Sequence, residues 1–290
     1  MNVIKDGDAG GANPLLARQR EAEAHFERAW LKDPDQFNPA GKPEEEIRVE
    51  RTVKLIEDHF PKEGISIVDL GSGFAPVARA LAEKGRAVLC TDIASGALQH
   101  IPEDPHLTKE KQGLPSTTLD DSRYDLCLAL EVIAELDRRD LRLAVAELCR
   151  IIKNDGRVVL SSALDINSED ALERLVNVLE TEFKIERLER IHLVWYLRLH
   201  RFLSGPARGM KRSLLLKLFC APLALLFAPL LFLLKKRATV NFLERFCRFV
   251  SREKGTSLVI LVCKRRPLLE EKHEPALPDR APFRREVRWE

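Results

Sequence analysis

Residues 68–77, with the sequence VDLGSGFAPV, have the residue types and the spacing that most strongly indicate chemistry. Asp69 lies two positions before Gly71, and Ser72 and Gly73 complete a short turn. The turn follows a β-branched apolar run and precedes a segment with helical periodicity. A glycine-rich turn between a strand and a helix lets the backbone approach a ligand closely and places that ligand at the start of the helix. The segment therefore predicts a cofactor site at the end of the first strand.

Two classes of cofactor bind at such a turn, and the spacing of the glycines distinguishes them. The dinucleotide fingerprint has the form G-x-G-x-x-G, but Pro76 stands where its third glycine should be. Proline is acceptable at the start of a helix, yet the missing glycine makes a dinucleotide the weaker alternative.

Four segments in chain order resemble the motifs of class I S-adenosylmethionine-dependent methyltransferases, in particular the subset that methylates small molecules, quinone precursors and lipids. The segments are VDLGSGFAPV (68–77), CTDIASGAL (90–98), YDLCLALEVIAEL (124–136) and LCRIIKNDGRVVLSS (148–162). The resemblance implies S-adenosylmethionine as the cofactor. It implies that Asp69 serves the methionine end of the cofactor, beside the turn formed by Gly71, Ser72 and Gly73.

The same resemblance assigns the other end of the cofactor to the second and fourth strands. Asp92, the acidic residue in CTDIASGAL, would hold the ribose hydroxyls, and Ile93 would lie against the adenine. Leu130, at the end of the fourth strand, would line the same site.

The chain departs from the family pattern at three places. Ala75 replaces a third glycine of the loop. An acid that often grips the adenine amine is replaced by KQGLP (111–115), so Gln112 or the backbone of Gly113 and Leu114 would take over this contact. Glu135 stands where many relatives have a histidine.

The sequence contains no obvious catalytic base, and methyl transfer from a sulfonium needs mainly an aligned nucleophile. A hydroxyl or carbon nucleophile would still benefit from a positioned base. Glu135 and His192 are the candidates, because both should lie near carboxyl ends of strands.

Strand-like and helix-like segments alternate from residue 65 to residue 191, which predicts an α/β fold with a mainly parallel sheet covered on both faces. The resemblance implies a Rossmann-like sheet of seven strands, whose last strand (257–265) inserts antiparallel between the fifth and the sixth. The expected parts are a disordered N-terminus (1–13), a cap helix (14–42), the methyltransferase core (43–192), a helical basic and apolar insertion (193–254), the last core strand (255–266) and a disordered tail (267–290).

Charge and apolar residues are concentrated in the insertion. Residues 190–243 contain ten basic residues and no acidic one, although the whole chain has a formal net charge of only +2. Within this region, residues 218–234 (LFCAPLALLFAPLLFLL) form an uninterrupted apolar run of seventeen residues. Such a distribution predicts contact with an anionic membrane surface.

A membrane span is not the expected form of this run. A helix of this length would measure about 26 Å, less than the roughly 30 Å of a hydrocarbon core, and Pro222 and Pro229 interrupt it. A single crossing would also separate the last strand from its sheet. The alternatives are a proline-bent hairpin or a pair of interfacial helices in one leaflet, with WYLRLHRF (195–202) at the headgroups, or a lid or dimer interface.

The sequence thus predicts a methyltransferase at the cytoplasmic side of a membrane, peripheral or monotopic, that acts on an apolar small molecule or lipid such as a quinone precursor or a sterol. The alternatives are a cytosolic small-metabolite methyltransferase with an apolar lid, and a non-catalytic membrane adaptor of the same fold. No nucleic-acid partner is expected, because LEVIAEL (130–136) replaces an Asn-Pro-Pro-Tyr-type motif. The start has no secretory pattern, and the six cysteines form no CxxC pair, which predicts reduced thiols and no metal site.

Overall fold

A seven-stranded sheet forms the centre of the protein. The computed structural model describes residues 14–60, 64–165, 170–209, 214–251 and 255–266. The strands are β1 (Ile67–Leu70), β2 (Val88–Asp92), β3 (Leu107–Lys111), β4 (Tyr124–Leu130), β5 (Ile152–Ala163), β6 (Phe183–Ile191) and β7 (Leu258–Arg265). The helices are α1 (Pro14–Lys32), α2 (Pro43–His59), α3 (Pro76–Ala82), α4 (Ser95–Gln99), α5 (Arg138–Ile151), α6 (Ala171–Leu179), α7 (Val194–Leu203), α8 (Gly205–Gly209), α9 (Leu214–Leu234) and α10 (Arg237–Ser251). Short 3-10 turns cover Pro34–Phe37 and Ile133–Glu135.

The order of the strands across the sheet is β3-β2-β1-β4-β5-β7-β6. β1 pairs in parallel with both β2 and β4, whereas β7 pairs antiparallel with both β5 and β6. The predicted α/β fold and the insertion of the last strand between the fifth and sixth are therefore confirmed. Because β1, β2 and β4 run in the same direction, the turns that follow them meet at one edge of the sheet.

Two hydrophobic layers cover the sheet, and the strands supply both in alternation. On β1, Ile67 joins the layer that contains α2, α3 and α10, while Val68 and Leu70 join the layer that contains α5 and α6. On β4, Leu126 and Leu128 face the first layer and Cys127 faces the second. A strand that is buried on both faces reads as a continuous apolar run, which is the pattern that predicted these strands.

The apolar run is a single helix. α9 continues for 21 residues through Pro222 and Pro229, so the expectation of a proline-bent hairpin or of two separate helices was wrong. The two prolines are seven residues apart, so both lie on nearly the same side of the helix. The amide donors that they remove are then lost from one side, which curves a helix without breaking it.

Most residues of α9 from 220 to 234, the part whose burial the structure describes, are exposed. Leu225 and Leu226 are 77% and 67% exposed, whereas Leu234 at its end is 3% exposed and belongs to the core. Among the described residues, no helix combines the length and the apolar character that crossing a membrane requires. The termini predicted to be disordered, 1–13 and 267–290, lie outside the described residues.

A pair of matched substitutions should separate the core from the exposed helix. Leu261→Ala removes a side chain that is fully buried in β7, so we expect the free energy of unfolding to fall by about 2–5 kcal/mol in urea denaturation. Leu225→Ala on α9 should change it by less than about 0.5 kcal/mol, because this leucine is mostly exposed. An equal loss in both variants would show that α9 is packed against the protein in solution.

Candidate functional site

A cleft of about 380 Å³ opens at the sheet edge where β1, β2 and β4 end, and α1 covers it. This volume lies within the range of small-molecule sites, about 300–1,000 Å³. Nine of the ten residues nominated for the cofactor line the cleft: Gly71, Ser72, Gly73, Asp92, Ile93, Gln112, Gly113, Leu114 and Leu130. The tenth, Asp69, is 2% exposed and lies at the end of β1 without lining the cleft.

The turn after β1 packs tightly against its surroundings. Gly71 has φ of +70°, and a Cβ atom added there would lie 2.3 Å from Cγ2 of Val132. Only glycine therefore fits this position. The Ser72 hydroxyl donates to the Asp69 carbonyl over 2.8 Å and accepts from the Thr91 amide over 3.0 Å. The Ser72 side chain thus fixes the turn to β2.

Asp92 ends β2 and presents a fixed carboxylate to the cleft. Its Oδ2 accepts from the Gly73 amide over 3.0 Å, and its Oδ1 accepts from the Ala94 amide over 2.9 Å. Burial raises the pKa of Asp92, and the hydrogen bonds from Ala94 and Gly73 act in the opposite direction. A carboxylate held in this way can accept hydrogen bonds from ligand hydroxyl groups, which fits the role that the resemblance assigns to it.

The loop after β3 contains the candidates for the adenine contact. The Gln112 amide nitrogen donates to Glu110 over 2.5 Å and to the Thr118 hydroxyl over 2.7 Å, while its oxygen accepts from the Thr118 amide over 2.9 Å. The polar atoms of the Gln112 side chain are therefore engaged within the loop.

The neighbouring backbone is partly engaged as well. The Gly113 carbonyl accepts from Gln19 of α1 over 2.7 Å, and the backbone of Gly113 and Leu114 remains the candidate for this contact. Ile93 packs directly on Gly113, since a Cβ added to this glycine would lie 2.8 Å from Cγ1 of Ile93. Ile93 and Leu114 give this end of the cleft apolar walls.

Two opposite charges are buried beside the turn. Burial raises the pKa of Asp69 to about 7, an effect that nearby Arg48 reduces and Asp92 increases. Arg48 of α2 lines the cleft and is 6% exposed. Within the described part of the chain, Asp69 Oδ1 and Arg48 Nη1 are both buried without a hydrogen-bond partner. Buried polar atoms of this kind usually have a partner, so Arg48, which lines the cleft, indicates an anionic ligand group.

Acidic residues hold the Arg48 side chain in place. Arg48 Nε donates to Glu45 over 2.9 Å and lies 3.9 Å from a carboxylate oxygen of Glu131. Glu131 follows β4 with φ of +63° and accepts from the Ser161 hydroxyl and the Ala163 amide, over 2.7 and 2.9 Å. Burial raises the pKa of Glu131, and Arg48 opposes this effect.

The sequence did not nominate Arg48 or Glu131. Glu131 directly follows the fourth strand, so its position was a usable signal. Arg48 lies in a helix with no motif, and no local pattern marks it.

α1 covers the cleft through aromatic side chains and is held there by hydrogen bonds. Phe26 and Trp30 line the cleft, and Trp30 stacks on Phe37 with ring centroids 4.7 Å apart. The Glu27 carboxylate accepts from the amides of Ser95 and Gly96 over 2.6 and 3.2 Å. The helix is thus fixed to α4 at the same edge of the sheet.

The structure separates the two candidate bases. Glu135 is exposed and lines the cleft. His192 is 7% exposed and lines a different groove, together with Arg51 and Arg248, so it is not a base for this cleft. It does follow a strand at the correct edge, but β6 is the outermost strand and β7 separates it from β5. Burial, followed by the charge of Arg248, lowers the pKa of His192.

The cleft fits the cofactor that the resemblance implies. S-adenosylmethionine carries a carboxylate at its methionine end, which matches the charge of Arg48 on the lining, and ribose hydroxyls, which match Asp92. Asp69 does not line the cleft, so it would act on the ammonium of the methionine end only through its charge. No group of three or more histidine, cysteine or acidic side chains that could hold a metal is present within the described ranges.

Comparisons with known proteins match the part of the chain that carries most of the cleft. Residues 68–160 match a family model described as a methyltransferase domain. The S-adenosyl-L-methionine-dependent Diels-Alderase iliD of Neonectria sp. (strain DH2) is 34% identical over 115 residues, which cover 38% of this chain and 43% of that protein. The chloroplastic magnesium protoporphyrin IX methyltransferase of Arabidopsis thaliana is 22% identical over 179 residues, covering 58% and 56%.

The chain thus spans about half the length of the curated relatives that it matches. Among solved structures, a candidate sarcosine dimethylglycine methyltransferase from Galdieria sulphuraria superimposes with a TM-score of 0.50 and 14% identity. The match covers 76% of this chain and 86% of that one, and it shows a similar fold.

Asp69 should make the stability of the ligand-free protein depend on pH. A carboxyl group whose pKa is about 7 when folded and 3.8 in its ordinary state binds a proton in the folded state alone between these values. The free energy of unfolding should therefore fall as pH rises from 4 to 7, by at most about 4 kcal/mol. Asp69→Asn should remove this fall. The difference in free energy of unfolding, variant minus parent, should therefore be larger at pH 8 than at pH 5. Urea denaturation at both values tests this, and parallel pH profiles of the two proteins would contradict it.

Proposed function

We propose that this chain, which belongs through residues 68–160 to the class I S-adenosylmethionine-dependent methyltransferases, transfers a methyl group from that cofactor to an apolar small molecule or lipid. The observation that carries the proposal is the cleft itself, whose lining brings the buried guanidinium of Arg48, the fixed carboxylate of Asp92 and aromatic side chains together beneath α1. Each of these features has a counterpart in the chemistry of the cofactor.

When bound, S-adenosylmethionine supplies an electrophilic methyl group on a positively charged sulfur. Asp92 would accept hydrogen bonds from the ribose hydroxyls. The amides of Gly73 and Ala94 donate to its carboxylate and keep it oriented. Arg48 binds the carboxylate of the methionine end, and Glu45 and Glu131 hold the guanidinium in position. Fixed polar groups of this kind need little rearrangement during the reaction.

The acceptor enters a part of the cleft whose walls are mainly apolar. Phe26, Phe37 and Leu136 line it, and α1 shields it from water. Glu135, at an exposed position on the lining, is the remaining candidate to accept a proton from a hydroxyl nucleophile. Phe26, Phe37 and Leu136 favour an apolar acceptor, and Gln36, Asn38 and Lys42 on the same lining are placed to contact its polar groups.

We also propose that the protein works at the cytoplasmic side of an anionic membrane, which it contacts through residues 193–254. The support is the excess of basic residues over 190–243 and the exposed leucines of α9. The alternative of a lid over the cleft has no support, because no described residue beyond Leu136 lines it.

Cofactor binding can be tested with one pair of variants. We expect S-adenosylhomocysteine to bind the parent protein and to raise its melting temperature. Asp92→Asn should weaken binding at least tenfold in isothermal titration calorimetry, because one of the two carboxylate oxygens is replaced by an amide nitrogen. Asp120→Asn, at an exposed position away from the cleft, serves as the matched control and should bind normally. Equal affinity in all three proteins would place the cofactor elsewhere.

Methyl transfer itself requires a substrate test. The purified protein is incubated with methyl-labelled cofactor and an extracted lipid fraction, and label is expected in the organic phase. If label is found only in water-soluble products, the acceptor is a small metabolite and the lipid acceptor is wrong. Cofactor binding without any transferred label would favour a protein that uses the cofactor without methylation; the fungal relative is named a Diels-Alderase. It would equally fit a non-catalytic adaptor.

A further inference from the structure

α10 has two apolar faces, and only one of them packs on the protein. Val240 and Cys247 are fully buried on the inner face. Phe242, Phe246 and Phe249 are 66%, 46% and 85% exposed. At 3.6 residues per turn these three phenylalanines lie roughly half a turn away from the buried residues. The outer face of α10 is therefore a row of aromatic rings turned towards solvent.

This row belongs to a larger exposed apolar area. Of the fifteen large hydrophobic side chains that are exposed among the described residues, twelve lie in α7, α9 and α10. Scattered exposed hydrophobic residues are normal, whereas a concentration of this kind marks a surface that contacts an apolar partner.

The charge on these helices is almost entirely basic where it is exposed. Glu244 is the single acidic residue in the sequence of α9 and α10. It is 3% exposed and turned inward, where it pairs with Arg51 over 2.5 Å and with Arg248 over 3.1 Å. Lys235, Lys236 and Arg245 are exposed beside the apolar face. A partner for this surface must therefore be both apolar and negatively charged.

We propose that the outer faces of α9 and α10 form one docking surface for an anionic phospholipid bilayer. Phe242, Phe246 and Phe249 enter the boundary between headgroups and acyl chains, and Lys235, Lys236 and Arg245 bind the phosphate headgroups. Helices that combine an apolar face with lysine and arginine bind in the plane of an interface in this way. This assignment rests on the membrane association proposed above. It adds that the phenylalanines of α10 enter the membrane.

α2 connects the docking surface to the cofactor cleft. On one side its Glu44 accepts from the Tyr196 hydroxyl of α7 over 3.1 Å, and its Glu50 and Arg51 pair with Arg237 and Glu244 of α10. On the other side its Arg48 lines the cleft. One helix thus contacts both the cleft and the inner side of the helices that carry the docking surface.

Vesicle sedimentation with the full chain tests the surface. The parent protein is expected to bind vesicles of phosphatidylcholine and phosphatidylglycerol, and to bind pure phosphatidylcholine more weakly. The triple variant Phe242→Ser, Phe246→Ser, Phe249→Ser should lose at least tenfold in affinity for the mixed vesicles. The variant Lys235→Gln, Lys236→Gln, Arg245→Gln should lose the preference for anionic vesicles, as should high salt.

A matched control removes as many exposed apolar side chains from other surfaces. The variant Leu16→Ser, Leu31→Ser, Leu143→Ser changes residues on α1 and α5 that are 48%, 82% and 39% exposed, and it should bind mixed vesicles like the parent. Far-ultraviolet circular dichroism and S-adenosylhomocysteine titration check that each variant is folded.

The outcomes separate this assignment from the broader proposals. Parent-like vesicle binding by the phenylalanine variant would overturn the role of α10 and leave membrane association through α9 intact. If no vesicle binds the parent, and sedimentation velocity shows a dimer that the phenylalanine variant cannot form, a second copy is the partner and the membrane docking fails. Methyl transfer to a detergent-solubilised acceptor is measured separately, so a failure of docking is distinguishable from a failure of catalysis.

Discussion

The parallel pairing of β1 with both β2 and β4 is the constraint on which the rest of this protein depends. It brings the carboxyl ends of three strands, far apart in the chain, to one edge of the sheet. The turn at Gly71, the carboxylate of Asp92 and the segment after Leu130 then line one cleft. The 2.3 Å approach of a Cβ at Gly71 to Val132 shows how closely the first and fourth strand ends are packed. Glycine is therefore required at position 71 by this packing as much as by any ligand.

Charge burial at this edge opposes folding and favours binding. Asp69 is buried with a raised pKa, and Arg48 is buried with one nitrogen unpartnered. Each group would be better solvated in the unfolded chain. A ligand carboxylate that pairs with Arg48 on the lining of the cleft relieves the cost at this residue, so binding stabilises the folded protein. Such sites combine lowered stability with readiness to bind.

The position of β7 in the sheet constrains where the helices before it lie. β7 lies antiparallel between β5 and β6, so the chain that leaves β6 must return to the same sheet after four helices. This return holds α7 to α10 next to the sheet, where α2 packs against α7 and α10. Leu234 of α9 and Val240 of α10 pack into the layer that residues of α2, α3 and β7 also fill, whereas Leu225 and Phe249 remain exposed.

The sequence by itself determined a mainly parallel α/β sheet, because strand and helix patterns are local features. Its resemblance to a known family, carried by motifs of consecutive residues, implied the antiparallel last strand and nine of the residues that line the cleft. Tertiary structure decided the rest. Arg48 and Glu131 join the site through contacts between α2, β4 and β5 that no local pattern encodes. His192 is excluded because β7 separates β6 from β5, and the engaged amide of Gln112 became visible only with its partners. The continuity of α9 and the outward phenylalanines of α10 likewise depend on which helix face the core leaves free. Local chemistry is written in consecutive residues, whereas burial and charge pairing depend on distant residues that meet only in the folded chain.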